Sequence, residues 1–364
     1  MAFGRRVNPL EQLLRARTVR PMVGGEWSRM PVSLLGERPQ HPGALVTSLL
    51  DHPVTDATSA LAWARTVVAG PGTGETRQLW EALATAAAID LGAARAMEPH
   101  LDATAILTQA GRGELAGDGT WGVYAAEGGE PLRARADGDR WSLRGTKQWC
   151  SLAGSLDLAL ISATLDDDRR ALFAVALRGS GVEVLDGAWQ ARGLTEIPSG
   201  PVRFDDVTAT PIGDPGWYLD RPGFSWGGIA VAACWYGGAV GLARSVFAAA
   251  SAEKPFLLMH LGAIDEVLES GRRALAEAAS LVDAGEASGA RGRLLTKRVR
   301  ATVARAVDEA IERTGRALGP APLALDAAHA KRVADLQLYV RQHHAERDQA
   351  SLGETLLRSE LPPW

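Results

Sequence analysis

The sequence predicts a mainly α protein with a central antiparallel β domain. Three observations predict it. Apolar residues recur at helical spacing through the first third, short β-branched and aromatic runs alternate with turn clusters in the middle, and long amphipathic segments return after Phe224. The expected division is a helical domain over 1–118, a β-barrel over 119–221 and a helical bundle over 222–364. The strands follow one another without intervening helices, which suits a barrel or sandwich and not a doubly wound parallel sheet.

In the first region Leu79, Leu83, Ala86, Ala87, Ile89, Leu91, Ala94 and Met97 mark the strongest helical segment, over 79–107, with a break expected at Pro99. The stretch Gly70-Pro71-Gly72-Thr73-Gly74-Glu75-Thr76 has the glycines of a phosphate loop without its lysine, and reads as a plain loop. In the middle region 141–143, 156–163, 171–177, 182–185 and 202–204 read as strands. Asp137-Gly138-Asp139, Asp166-Asp167-Asp168 and Asp205-Asp206 part them. Four long helices are expected afterwards, near 225–251, 256–284, 290–317 and 325–352. Lys254-Pro255, 285–289 and Gly319-Pro320-Ala321-Pro322 supply the breaks. No glycine or proline interrupts 326–352, so Tyr339, His343 and Arg347 are expected four apart on one face of a continuous helix.

Composition excludes several function classes. Across 364 residues, 39 Lys plus Arg stand against 43 Asp plus Glu, a net charge of −4, which offers no basic field for nucleic acid. With 46% hydrophobic and 23% charged residues the chain is folded, and it is long enough for two or three packed units. Cys150 and Cys234 are too few for a disulfide framework and lack metal-ligand spacing, so no metal site is expected and a reducing cytoplasm suits the chain. Residues 1–21 carry arginines but no apolar core, so a signal peptide is not expected. The apolar run 227–243 is interrupted by five glycines and reads as a buried helix, not a membrane span. Eleven Trp stand against six Phe and four Tyr, and that many indoles need pockets, partners or a planar ligand.

One block is specific. Trp141-Ser142-Leu143-Arg144-Gly145-Thr146-Lys147-Gln148-Trp149-Cys150-Ser151 resembles a hallmark of the acyl-CoA dehydrogenase family, in which a strand ending in Leu-x-Gly-x-Lys leads into Trp-x-Thr/Ser beside the flavin. Trp189-Gln190-Ala191-Arg192-Gly193-Leu194 is similar to the family's next turn. Ser199-Gly200-Pro201-Val202-Arg203-Phe204-Asp205-Asp206-Val207 is similar to its following strand, and Glu98–Leu107 to its last N-terminal helix. The resemblance implies FAD as cofactor, held by Tyr124, Ala126 and Glu127 of the flavin loop and by Trp149, Cys150 and Ser151. Trp149 offers a large planar ring, and Ser151, two residues on along an expected strand, presents its hydroxyl on the same face toward the flavin edge.

The chain also departs from the family. Ala126 stands where a threonine hydroxyl bonds the flavin, and the Gly-Ser-Asp portion of that loop, which helps hold substrate, is missing. A lost hydrogen bond of this kind costs about 0.5–1.5 kcal/mol, which weakens cofactor binding without abolishing it. Trp121 opens the altered loop and is a candidate replacement wall. The arginine that grips the flavin pyrophosphate is replaced by the stretch Ser251–Phe256, in which Lys254 supplies charge without a bidentate fork. If 334–337 matches the family's Arg-Asp-x-Arg, the catalytic glutamate falls at or beside His343, whose imidazole could also serve acid–base chemistry near neutrality.

The resemblance thus implies a flavin oxidoreductase acting on an acyl thioester or related small molecule, with His343 as base. A flavin monooxygenase of the same fold is the alternative, and a degenerate, non-catalytic partner subunit is a third reading. A homodimer or homotetramer is expected, or a hetero-oligomer with a paralogue; no nucleic acid and no membrane is expected as partner.

Overall fold

The computed structural model describes residues 29–36, 41–52, 54–185, 187–358 and 364. The arginine-bearing segment 1–21 lies outside them. Among the described residues the first helices are α1 (Ala44–Asp51), α2 (Ala57–Ala64), α3 (Thr76–Ile89) and α4 (Leu91–Gln109). The expected break at Pro99 does not occur; Pro99 sits inside α4, and the break falls at Asp90. Asp90 is extended, at φ −144° and ψ 120°. Its N–H closes α3 on the Ala86 carbonyl, and its carboxylate accepts the Ala93 N–H at 2.8 Å, which starts α4. Pro99 removes one donor, but α4 packs on α2 and on the helix and strand described next, and that packing outweighs the loss.

Seven strands follow: β1 (Trp121–Tyr124), β2 (Arg133–Asp137), β3 (Arg140–Lys147), β4 (Leu158–Thr164), β5 (Arg170–Ala176), β6 (Val182–Val184) and β7 (Val202–Ile212). The pairings β4–β2, β2–β3, β3–β7, β7–β5 and β5–β4 close a ring, with β6 added on β7. The barrel is not wholly antiparallel: β1 and the Arg133↔Thr164 pair of β2 run parallel to β4, the two strands occupying successive lengths of one β4 edge. Strand β4 is buried on both faces. Ala159 and Ile161 join the main core, whereas Leu160 meets Trp121, Leu172 and the α4 residues Ile106 and Leu107. This second cluster docks the barrel on α4.

Helices α5 (Trp217–Asp220), α6 (Pro222–Ala249), α7 (Pro255–Asp283), α8 (Gly289–Leu318), α9 (Pro320–Leu325), α10 (Ala327–Tyr339) and α11 (Glu346–Leu357) complete the chain. The glycine-interrupted apolar run is α6, mostly buried and packed against α3, α7 and α8. The loop over 70–76 is a plain one. Its Gly74 and Thr76 amides and the Thr76 hydroxyl donate to the Asp283 carboxylate at the end of α7, at 3.1, 3.2 and 2.5 Å.

Gly237 marks the closest approach of α6 to α3, since a Cβ there would drive into the backbone of Ala84. Gly237→Ala is therefore expected to cost about 1–3 kcal/mol in overpacking, against a helix-propensity gain of at most ~1 kcal/mol. Urea unfolding checks this. A midpoint that stays put or rises would mean the two helices separate without cost.

Candidate functional site

A cavity of about 570 Å³ lies where α4, α6, α8 and the chain after α10 converge. Its wall includes Asp102 of α4, Phe224, Gly227 and Val231 of α6, Lys297 and Arg300 of α8, and Gln342, His343 and Asp348. Gly227 admits Asp102, since a Cβ there would lie 2.8 Å from Oδ1 of that carboxylate.

The expected continuous helix over 325–352 is interrupted at its candidate functional residue, His343. Helix α10 ends at Tyr339, a 3₁₀ turn covers Val340–Gln342, His343 is extended, Ala345 has φ 41°, and α11 begins at Glu346. Tyr339, His343 and Arg347 therefore do not share a face. The break is made by side chains. Arg300 Nη2 donates to the Gln342 carbonyl at 3.0 Å and Nη1 to the Gly228 carbonyl of α6 at 2.7 Å. The Asp348 carboxylate accepts the His344 N–H at 3.1 Å, and with Glu346 it puts two acidic residues in the first turn of α11. His343 is thus presented from an irregular segment. Burial pushes its pKa below the usual histidine value; Asp348 opposes the shift and Arg300 and Arg341 add to it, so the imidazole is neutral at pH 7.

On α4, Arg95, Glu98 and Asp102 lie on one helical face. Asp102 pairs with Arg221 at 3.6 Å, and Arg221 also donates to Gln109 Oε1 at 2.8 Å. Burial and the neighbouring Asp102 push the Glu98 carboxyl up to about 8, so it holds its proton at pH 7. Glu98 escaped the sequence reading because nothing local signals that it is buried.

The expected flavin residues divide. Ala126 lines the cavity. Tyr124 is buried on β1, and its hydroxyl donates to the Ser151 carbonyl at 3.0 Å. Glu127 is half-exposed outside the cavity, 3.8 Å from Lys147 and 3.5 Å from Arg170. Trp149 and Ser151 do not lie on a strand with a common face. Strand β3 ends at Lys147, Trp149 takes φ 63°, and the chain turns, with the Cys150 N–H donating to the Gly200 carbonyl and that of Leu152 to Pro198. The alternation of a strand therefore does not apply. Instead Trp149 is 57% exposed, and Ser151 is buried. The Ser151 hydroxyl accepts from Arg95 Nη2 at 2.8 Å and shares a hydrogen bond with the Ser199 hydroxyl at 2.8 Å. Arg95 and Ser199 were not expected as site residues; both depend on contacts across the fold. Cys150 is buried against the Lys147 carbonyl, and burial pushes its thiol up to about 12, which leaves it unreactive.

A packed row joins the two parts. The Arg95 guanidinium lies 5.5 Å from the Tyr339 ring centroid, Tyr339 meets Trp235 edge to face at 6.2 Å, and Arg300 stacks on Trp235 at 4.6 Å. The row runs from Ser151 to the turn that carries His343. Trp121 takes no part: it is buried between α4 and β4, with its indole N–H on the Ala116 carbonyl, and is not a wall of the cavity. Lys254 caps α6 through the Ala249 carbonyl at 3.0 Å.

Residues 122–207 match the family model of the acyl-CoA dehydrogenase middle domain. The chain has the acyl-CoA dehydrogenase fold and carries that family's middle domain. Glutaryl-CoA dehydrogenase from Mycobacterium smegmatis, solved with FADH2, superposes with a TM-score of 0.72 at 15% identity over 86% of this chain and 90% of that one. FMN-bound TdsC from Paenibacillus sp. A11-2 gives 0.70 at 16% identity over 84% and 90%. KijD3 in complex with FMN and a dTDP-linked amino-keto sugar gives 0.67 at 20% identity over 96% and 94%. Among curated proteins, none matches the sequence. The matched middle domain contains Tyr124, Ala126, Glu127, Trp149, Cys150 and Ser151; His343 lies outside it.

The residues present fit a flavin ring. Trp149 holds a large exposed indole on a left-handed backbone conformation that bulky residues rarely adopt. Beside it stands the buried Ser151–Ser199 hydroxyl pair. A planar face and an edge of donors and acceptors are what an isoalloxazine requires.

Proposed function

We propose that the protein is a flavin-dependent oxidoreductase whose small-molecule substrate occupies the 570 Å³ cavity, with His343 as the group that moves the proton. The observation that carries this reading is a neutral imidazole in the cavity wall, joined by packed side chains to the Trp149–Ser151 turn. Bound flavin supplies two-electron transfer. Trp149 would pack on its ring, and the Ser151 and Ser199 hydroxyls would bond its polar edge. Arg95 fixes the orientation of Ser151, and Arg300 holds the turn before His343.

The wall chemistry favours a monooxygenase over a dehydrogenase that depends on a carboxylate base. Both carboxylates in the wall are engaged, Asp102 by Arg221 and Asp348 by His344. The likeness to TdsC, a dibenzothiophene monooxygenase, supports the same choice. Dehydrogenation with the His343 imidazole as base is the second reading, supported by the likeness to glutaryl-CoA dehydrogenase. Similar structures carry FMN or FADH2, and the ring-binding residues here serve either flavin. A cytoplasmic location and self-association into a dimer or tetramer belong to the same proposal. Two buried free cysteines support the first, and exposed Phe256 and Met259 at the start of α7 support the second.

The test is to titrate the purified protein with FMN and with FAD and follow the visible spectrum. At least one flavin is expected to bind, and Ser151→Ala is expected to weaken it about two- to tenfold, the worth of one hydrogen bond. Oxygen uptake dependent on reduced flavin would favour the monooxygenase, and anaerobic bleaching by substrate the dehydrogenase. A protein that binds neither flavin would sink the proposal and leave the partner-subunit reading.

A further inference from the structure

The charges around the cavity do not balance. Arg221, Arg293, Lys297 and Arg300 line it, against Asp102 and Asp348. Asp102 is taken by Arg221. Asp348 is 3.6 Å from the His344 ring and accepts the His344 amide. Lys297 donates only to neutral oxygens, the Ser351 carbonyl and hydroxyl and the Thr355 hydroxyl, at 2.8, 2.9 and 2.6 Å. Arg300 likewise donates to two carbonyls, and burial lowers its pKa against the opposing charge of Asp348. Arg293, exposed at the cavity wall, has no partner among the described residues. It shares the cavity-lining face of α8 with Thr296, Lys297 and Arg300, at helical spacings of three, four and seven.

Partly desolvated cations facing neutral acceptors are costly, and a ligand anion relieves that cost. A guanidinium with free donors at the wall offers a two-pronged site for a carboxylate or phosphate oxygen pair. The rest of the wall near α6 is apolar or small: Phe224, Gly227, Gly228 and Val231.

We infer that the cavity takes a substrate bearing an anionic group, a carboxylate or phosphate ester, on a compact apolar body, with Arg293 as the residue that receives the anion. This names the substrate class of the site proposed above and rests on the cavity being that site.

The experiment is calorimetric titration of the full-length, flavin-free protein with 2-naphthoate, 2-naphthyl phosphate and the uncharged 2-naphthamide. At least one of the two anions is expected to bind tenfold or more tightly than the amide, and the tighter anion identifies the group. Arg293→Gln is expected to bring it to within about threefold of the amide, whereas Arg293→Lys keeps most of the preference. Arg293 is exposed, and no hydrogen bond or ion pair ties it to the described residues, so both variants are expected to fold. Equal affinity for all three probes, no binding of any, or a preference that survives Arg293→Gln would overturn the inference. Flavin uptake is read separately by absorbance. Flavin binding without anion preference overturns this inference alone, and anion preference without flavin binding overturns the oxidoreductase reading alone.

Discussion

Replacing His343 with Gln is expected to lower turnover about 10²–10⁴-fold, the usual cost of losing a positioned general acid or base, while flavin affinity stays within about twofold. His343 lines the cavity and lies outside the middle domain that carries the residues proposed to hold the flavin. Its depressed pKa sets the pH dependence. The imidazole is neutral at pH 7, so activity that needs the neutral form falls only as acid protonates it, below the usual histidine range. That acid limb is expected to vanish in the Gln variant. The same shift means the unfolded chain binds this proton more readily, so the contribution of His343 to stability is complete above the unfolded value near 6.5 and is lost as pH falls. Steady-state rates across pH for both proteins check the prediction. A Gln variant with near-normal turnover would remove His343 from the reaction.

Trp235→Ala is expected to cost about 3–5 kcal/mol of stability, the range for truncating a fully buried large aromatic residue. The indole is fully buried on α6, meets Tyr339 edge to face and carries the Arg300 guanidinium on its ring. Removing it leaves a cavity between α6 and α10 and frees Arg300 from the geometry in which it holds Gln342. Turnover is therefore expected to fall even well below the melting temperature, and Trp235→Phe, which keeps a ring, is expected to recover much of both losses. Urea unfolding together with rates at low temperature separates the two effects. A stability loss below 1 kcal/mol would show that the row from Arg95 to Arg300 does not depend on its central ring.

The bundle helices were legible because their apolar spacing is long and their ends carry Pro or Gly, as at Pro222, Pro255, Gly289 and Gly319. Strands β1 and β2 were not. Trp-Gly-Val-Tyr is apolar but only four residues long and interrupted by a glycine, and Arg-Ala-Arg-Ala-Asp buries only Ala134, so neither carries a strand-length pattern. The break after Tyr339 was equally hidden, because no residue there disfavours a helix. Its cause is Arg300, 42 residues away, taking the Gln342 carbonyl.

The sequence by itself determined the order of helices, barrel and bundle, and the block from Trp141 to Val207 that resembles a flavin domain. Those properties reside in local spacing and in short motifs, which a chain displays before it folds. Only the tertiary structure decided that Trp149 stands exposed on a turn while Ser151 is buried beneath Arg95, that Glu98 keeps its proton, and that Arg293 faces the cavity without a carboxylate. Each of these depends on which distant groups are brought near and on how much water is removed from them, and neither quantity is written in local sequence.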